Sequence, residues 1–172
     1  MAIANQEMIR DNNRRQVLEY IVNNPPVSRA ALAKELHLTK ATISNIVQDL
    51  MEQNLVAEIG SAQTALGRKP ILLEFQKKCG YAFSIDVHPR QIITLISDLK
   101  GEDCHLKEYP FQEEDCLLEL LRSIIKETLP RCQNAPYGIV GISIGIYGVV
   151  RENEIIFTPY YPLPQPHLGK IL

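Results

Sequence analysis

The chain has 172 residues, 45% of them hydrophobic, which is enough for one or two buried cores. No apolar run approaches the roughly 20 residues of a membrane-spanning helix, so no membrane partner is expected. A formal net charge of −2 excludes a chain held to nucleic acid by bulk electrostatics alone.

The first predicted element is a helix over Asn13 to Asn23, with Val17, Leu18, Ile21 and Val22 at helical spacing. Pro25-Pro26 stops it, because proline lacks an N–H and fixes φ. Ser28 and Thr39 each carry a short side-chain oxygen able to cap a following helix. After Ser28, Ala31, Leu32 and Leu36 recur on one face while Arg29, Lys34 and Glu35 fall on the other. His37 and Leu38 make the turn. In the next helix, Lys40 to Asn54, the stripe Ile43, Val47, Leu50 and Met51 must face inward. About 100° of rotation per residue then turns Ala41, Thr42, Ser44, Asn45 and Gln48 outward, with Lys40 beside them. Two capped helices joined by a tight turn are the sequence form of a helix-turn-helix.

This outward face suits the major groove of DNA. Small residues permit close approach, amides pair bidentately with adenine, and alanine or threonine methyls touch the thymine methyl. Asn45 and Gln48 are the leading base readers, and Ser28, Arg29 and Thr39 complete the expected DNA-facing set. The competing reading, an ordinary surface helix, would carry long Glu and Lys side chains instead.

Leu55 to Ile59 and Ile71 to Phe75 read as strands flanking a polar stretch from Gly60 to Pro70, which makes a β-hairpin, or wing. Its tip holds Gly67-Arg68-Lys69-Pro70. On an isolated loop Arg68 and Lys69 would be a solvated charge pair; beside a recognition helix they can enter an A·T-rich minor groove. Up to Lys78 there are ten Lys and Arg against eight Asp and Glu, and beyond it eight against twelve, so the N-terminal half is the phosphate-facing one. The domains are placed at residues 1–76 and 77–172.

In the second half, Tyr81 to Val87, Gln91 to Asp98 and Cys104 to Phe111 read as an antiparallel meander, with a turn at Asp98 to Gly101. Glu113 to Leu129 is a helix with Leu117, Leu120, Leu121, Ile124 and Ile125 on one face. The near-continuous apolar run Ile139 to Ile146 is expected to be a buried strand, implying a crossover and a mixed sheet. Cys79, Cys104, Cys116 and Cys132 form no C-x-x-C pair, and the four histidines show no ligand spacing. Neither a metal nor a cofactor is expected. The polar N-terminus through Arg15 has no signal-peptide pattern, so a cytoplasmic chain with reduced thiols is expected.

Asn12-Asn13-Arg14-Arg15, Leu38-Thr39-Lys40-Ala41-Thr42-Ile43-Ser44, Gly67-Arg68-Lys69-Pro70 and Gly141-Ile-Ser-Ile-Gly145-Ile-Tyr-Gly148 occur in an order that resembles the ROK transcriptional regulators. In these relatives of bacterial sugar kinases, a winged helix precedes an actin-like, two-lobed fold. The resemblance covers residues 5 to 172. It implies an α+β winged helix-turn-helix followed by an α/β, partial actin-like (ribonuclease-H-like) lobe with a mixed sheet. It also implies a sequence-specific regulator, a repressor of carbohydrate uptake or metabolism genes, acting as a homo-oligomer on a pseudo-palindromic, A·T-rich double-stranded operator. A sugar effector is implied if the rest of the ROK domain is present.

Family kinases hold nucleotide phosphates with an Asp-x-Gly-Gly-Thr-like turn, where this chain has Asp86-Val87-His88-Pro89-Arg90. With no glycine and a proline that donates nothing, no ATP binding, no sugar phosphorylation and no catalytic residue are expected. Tyr147 stands where the family usually has proline, and Thr158-Pro159-Tyr160-Tyr161 replaces a segment in which an asparagine commonly contacts sugar hydroxyls. Leu172 precedes the family's catalytic aspartate, its Glu-x-Gly-His motif and its cysteine-rich zinc motif, so no complete sugar site is expected within these residues. Two other readings stay open: a sugar kinase with an N-terminal extension, and an interaction module with a degenerate winged helix.

Overall fold

The computed structural model describes residues 2–61, 70–112, 116–161 and 167–168. It divides into two compact units, Met1–Gln76 and Lys77–Leu172. The first contains α1 (Ala2–Asn23), β1 (Val27–Ser28), α2 (Arg29–Glu35), α3 (Lys40–Glu52), β2 (Val56–Ser61) and β3 (Ile71–Phe75).

Its core is made by the spacing that predicts the helices. Val17 and Ile21 of α1, Leu32 of α2 and Ile43, Ile46, Val47 and Leu50 of α3 are buried together with Val27, Val56 and Leu73 from the strands. Fully burying one such side chain contributes about 1.5–3 kcal/mol. Ile46 belongs to this inward stripe although the sequence pattern omits it, and Met51 is only half-buried.

Three boundaries differ from expectation. Helix α1 begins at Ala2 rather than near Asn13, because residues 2–12 contain no glycine or proline to stop a helix yet lack the apolar period that announces one. This early part is tied to α3 by Arg10 Nη2 to Asp49 Oδ2 at 3.0 Å, and one turn on Arg14 bonds to Gln53, the residue that caps α3. Helix α3 ends at Glu52 rather than Asn54, which adopts a left-handed φ of 57° and reverses the chain into β2. Strand β1 was too short to announce itself. It pairs antiparallel with β3, Val27 opposite Leu73, so the wing is three-stranded in the order β1-β3-β2. A bulge between Glu58 and Gly60 interrupts the β2–β3 ladder, with Gly60 at φ 122°, a conformation that favours glycine.

The second unit contains β4 (Tyr81–Val87), β5 (Gln91–Asp98), β6 (His105–Pro110), α4 (Leu117–Thr128), β7 (Ile139–Ile146), β8 (Val149–Arg151) and β9 (Glu154–Phe157). The sheet order is β6-β5-β4-β7, antiparallel except for the parallel β4–β7 pair, so it is mixed, as the helix between β6 and β7 implies. Leu117, Leu121 and Ile124 of α4 pack on Phe83, Ile85, Val87, Ile92 and Ile96. The expected start of this helix, Glu113, lies outside the described residues. Beyond Thr128 the chain tightens into a 3-10 turn over Leu129–Cys132 with Pro130 in its first positions, where a missing N–H does no harm.

The expectation of a buried β7 is corrected by the structure. Val140 is 53% and Ile142 44% exposed, because among the described residues β7 lies at the end of the sheet order with β4 alone beside it. An apolar run reports hydrophobicity, not the number of neighbouring strands.

Asp98 organises the β5–β6 turn. Its Oδ1 accepts the N–H groups of Lys100 at 3.0 Å and Glu102 at 2.9 Å, and Lys77 Nζ stands 3.9 Å from Oδ2. Burial pushes the Asp98 carboxyl up, but donation from Glu102 and Lys100, the Lys77 ammonium and the Asp103 N–H outweigh it and hold its pKa below the usual carboxylate value. A lowered folded-state pKa contributes stability above the unfolded value, about 4, that is lost as pH falls through the folded one. Asp98→Asn is therefore expected to be less stable by about 1–3 kcal/mol at neutral pH. It should also lose less stability than the parent between about pH 6 and about pH 3. Urea midpoints across that range check this, and parallel curves would refute it.

Candidate nucleic-acid interface

Helix α2 starts where Ser28 Oγ accepts the Ala31 N–H at 3.2 Å, and α3 starts where Thr39 Oγ1 accepts the Thr42 N–H at 3.1 Å. Between them the Leu36 N–H bonds to Leu32 O at 3.0 Å and the Leu38 N–H to Ala33 O at 3.2 Å. His37 turns the chain with a left-handed φ of 53°. Each hydroxyl cap and this turn fix where α3 begins relative to α2.

The core then fixes which face α3 shows. Lys40, Ala41, Ser44, Asn45 and Gln48 are all exposed, and 41, 44, 45 and 48 fall at the three- and four-residue spacings that line up on one helix face. The Asn45 amide has no protein partner among the described residues. Gln48 donates Nε2–H to Glu52 Oε1 at 3.0 Å, which leaves its own Oε1 open.

Four of the expected DNA-facing residues, Thr39, Thr42, Ser28 and Arg29, are placed differently from that stripe. Thr42 is half-buried and its hydroxyl lies 2.9 Å from Thr39 Oγ1, so both threonines serve the helix start. Ser28 is half-buried with its oxygen occupied by the cap. Arg29 places Nη1 2.9 Å from Glu58 Oε1 and Nη2 3.6 Å from Met51 Sδ, linking α2 to β2 and α3. Its charge is matched inside the protein, so a phosphate would have to compete with Glu58. Arg68 and Lys69 lie outside the described residues. Sequence reasoning missed Arg10, Asp49 and Glu52; the four-residue spacing of Gln48 and Glu52 was the available signal for the last.

In the second unit, the turn after β4 stands where a phosphate cradle would lie. The His88 N–H bonds to Gln91 O at 2.9 Å, Pro89 has no N–H, and Arg90 O accepts from Phe111 at 3.0 Å. His88 Nε2 lies 2.8 Å from Asp86 Oδ2, and the His88 ring sits 5.2 Å from that of Tyr147. Gly145 is the residue that admits Asp86 here, since a Cβ would lie 2.7 Å from Oδ1. Tyr161 locks the region, donating its hydroxyl to Val87 O at 3.1 Å and accepting the Tyr147 N–H at 3.0 Å. Burial pushes the Tyr161 phenol up, which keeps it a neutral donor. Among the described residues, no group of three or more His, Cys, Asp or Glu could hold a metal ion, and no helix is long and apolar enough to cross a membrane.

A family model described as MarR family matches residues 12–64, the segment from α1 through β2. Curated relatives include the xylose repressor of Bacillus spizizenii, 37% identical over 166 residues, which are 92% of this chain and 42% of that protein. The xylose repressor of Staphylococcus xylosus is 35% identical over 158 residues, 89% of this chain and 41% of that protein. A crystal structure of a ROK family transcriptional regulator, a homologue of the Escherichia coli MLC protein, superposes with a TM-score of 0.67 at 24% identity. It covers 95% of this chain and 42% of that one, a likeness of fold. The chain thus spans well under half the length of the relatives it matches.

Proposed function

We propose that the chain belongs to the ROK family of transcriptional regulators, as its likeness to xylose repressors and to a ROK regulator's fold supports, and that residues 1–76 are a sequence-specific DNA-reading head. The observation that carries this is the exposed stripe Ala41, Ser44, Asn45 and Gln48, free of long charged side chains, on a helix whose start and rotation are fixed by caps and core. Asn45 and Gln48 read base edges in the major groove, Lys40 meets phosphate, and Ala41 and Ser44 allow the helix to approach. Arg68 and Lys69, which the sequence pattern assigns to the wing, add minor-groove contacts in A·T-rich flanks. Thr39, Thr42, Ser28 and Arg29 hold the reader in place, their side chains being engaged within the protein.

The regulated genes, by analogy with the repressors it resembles, are those of carbohydrate uptake or metabolism, and the protein acts as a homo-oligomer on a pseudo-palindromic operator. A sugar effector would act through residues of a full-length protein like those relatives. We assign no enzymatic step to these residues. The Asp86–His88 pair, the occupied His88 N–H and Pro89 leave the turn after β4 poorly equipped to hold a phosphate.

Selection of bound duplexes from a random pool is expected to return a palindrome with half-sites one helical turn or a multiple apart. Asn45→Ala should then relax preference at one or two base pairs per half-site, losing roughly 1–3 kcal/mol. A variant with the parent's base preferences would remove Asn45 from the reading face. Replacing Arg68 and Lys69 by alanine should lower the slope of log affinity against log salt by about one per charge removed and abolish the flanking A·T preference. An unchanged slope would show that the wing makes no phosphate contact. Isothermal calorimetry with ATP and magnesium is expected to show no heat of binding, whereas a micromolar affinity would revive the kinase reading.

A further inference from the structure

We infer that Glu52 sets the base preference of Gln48, fixing the polarity of its amide so that it accepts adenine and rejects guanine at one base pair of each half-site. This rests on the DNA-reading assignment above.

Helix α3 carries two carboxylates, Asp49 and Glu52. Asp49 is half-buried and held by Arg10 at 3.0 Å. Glu52 is exposed, one turn beyond Gln48 on the same face, and takes the Gln48 Nε2–H at 3.0 Å. Glu52 also stands against local preference. A carboxylate in the last turn of a helix faces the negative end of the helix dipole, and a negative charge close to DNA is repelled by phosphates.

An ionised carboxylate accepts hydrogen bonds and donates none. The end of the Gln48 amide that faces Glu52 is therefore Nε2, a polarity set by chemistry and not by a choice between indistinguishable atoms. What remains for a ligand is Oε1 and the second Nε2–H, neither of which has a protein partner among the described residues. One acceptor beside one donor is the complement of adenine, which presents N6–H and N7 in the major groove.

Guanine presents two acceptors there, N7 and O6. An unrestrained glutamine can turn its NH2 group toward them and offer both N–H bonds. With one N–H committed to Glu52, the amide would place Oε1 against O6, two acceptors facing each other in a site from which water is excluded. In water the Gln48–Glu52 bond is weak because solvent competes for both groups; in the groove that competition is removed. The charge of Glu52 lowers affinity for every sequence alike, so discrimination comes from the amide it orients.

The test uses the full chain and two duplexes of the selected operator that differ only by A·T or G·C at the pair where Gln48→Ala loses preference. The parent is expected to favour A·T by about tenfold. In Glu52→Gln, whose side-chain amide can donate or accept, and in Glu52→Ala, the ratio should fall to about threefold or less while affinity for both duplexes rises. In a Gln48→Ala background, Glu52→Gln should leave the ratio unchanged. The inference is overturned if Glu52→Gln raises both affinities by one common factor with the ratio intact. It is equally overturned if the ratio still moves without Gln48, since Glu52 would then touch the base itself. A parent chain that returns no preferred sequence from the random pool sinks the DNA-reading assignment and this inference with it, whereas a recovered palindrome with an unmoved ratio sinks only the role of Glu52.

Discussion

Burial of Ile43, Ile46, Val47 and Leu50 against Val17, Ile21 and Leu32 is the constraint on which the reading face depends. A helix has one rotational freedom about its axis, and here that freedom is removed by four side chains whose exposure would each cost about 1.5–3 kcal/mol. Surface contacts at the other side of α3 are weaker by several-fold. The outward set is therefore decided from inside. Val27, Val56 and Leu73 add the strands to the same core, so the base of the wing and α3 are fixed to one another by shared packing.

Much of this was legible in the residues because it rests on local rules. The hydroxyls of Ser28 and Thr39 cap as their positions require, and the strands β3, β4, β5 and β7 have the bounds that their apolar patterns and turn residues indicate. What escaped depends on partners distant in sequence or on signals too short to read. Residues 2–12 continue α1 without an apolar stripe, so periodicity is silent about them. A two-residue strand has no period at all, and only Leu72 and Leu73 make Val27–Ser28 a strand. Arg29 looks like a DNA-facing cation until Glu58, twenty-nine positions on in the sequence, is brought within 2.9 Å of it.

The second unit shows the same division. The crossover from β6 through α4 to a strand parallel with β4 follows from an amphipathic helix between apolar strands. The exposure of Val140 and Ile142 does not follow, because the sequence of β7 is as apolar as that of a central strand and its position at the sheet's end is a property of topology. At the turn after β4, by contrast, chemistry was readable one residue at a time. Proline cannot donate whatever its surroundings, whereas the approach of His88 to Asp86 at 2.8 Å was not read from the sequence and is supplied by the fold.

Helix caps and base readers are drawn from the same small polar residues, so type and spacing alone cannot separate them. Hydrogen-bond accounting can. A hydroxyl that already accepts a backbone N–H, as those of Ser28 and Thr39 do, or that is half-buried against such a cap, as that of Thr42 is, has less left to offer a base. A side chain exposed on the same helix with its donors and acceptors open has its full capacity available, and that describes Asn45 and the Oε1 of Gln48. The helix-turn-helix thus sorts its polar residues into those that hold α3 and those that α3 presents. The sorting follows from which groups the fold has already satisfied.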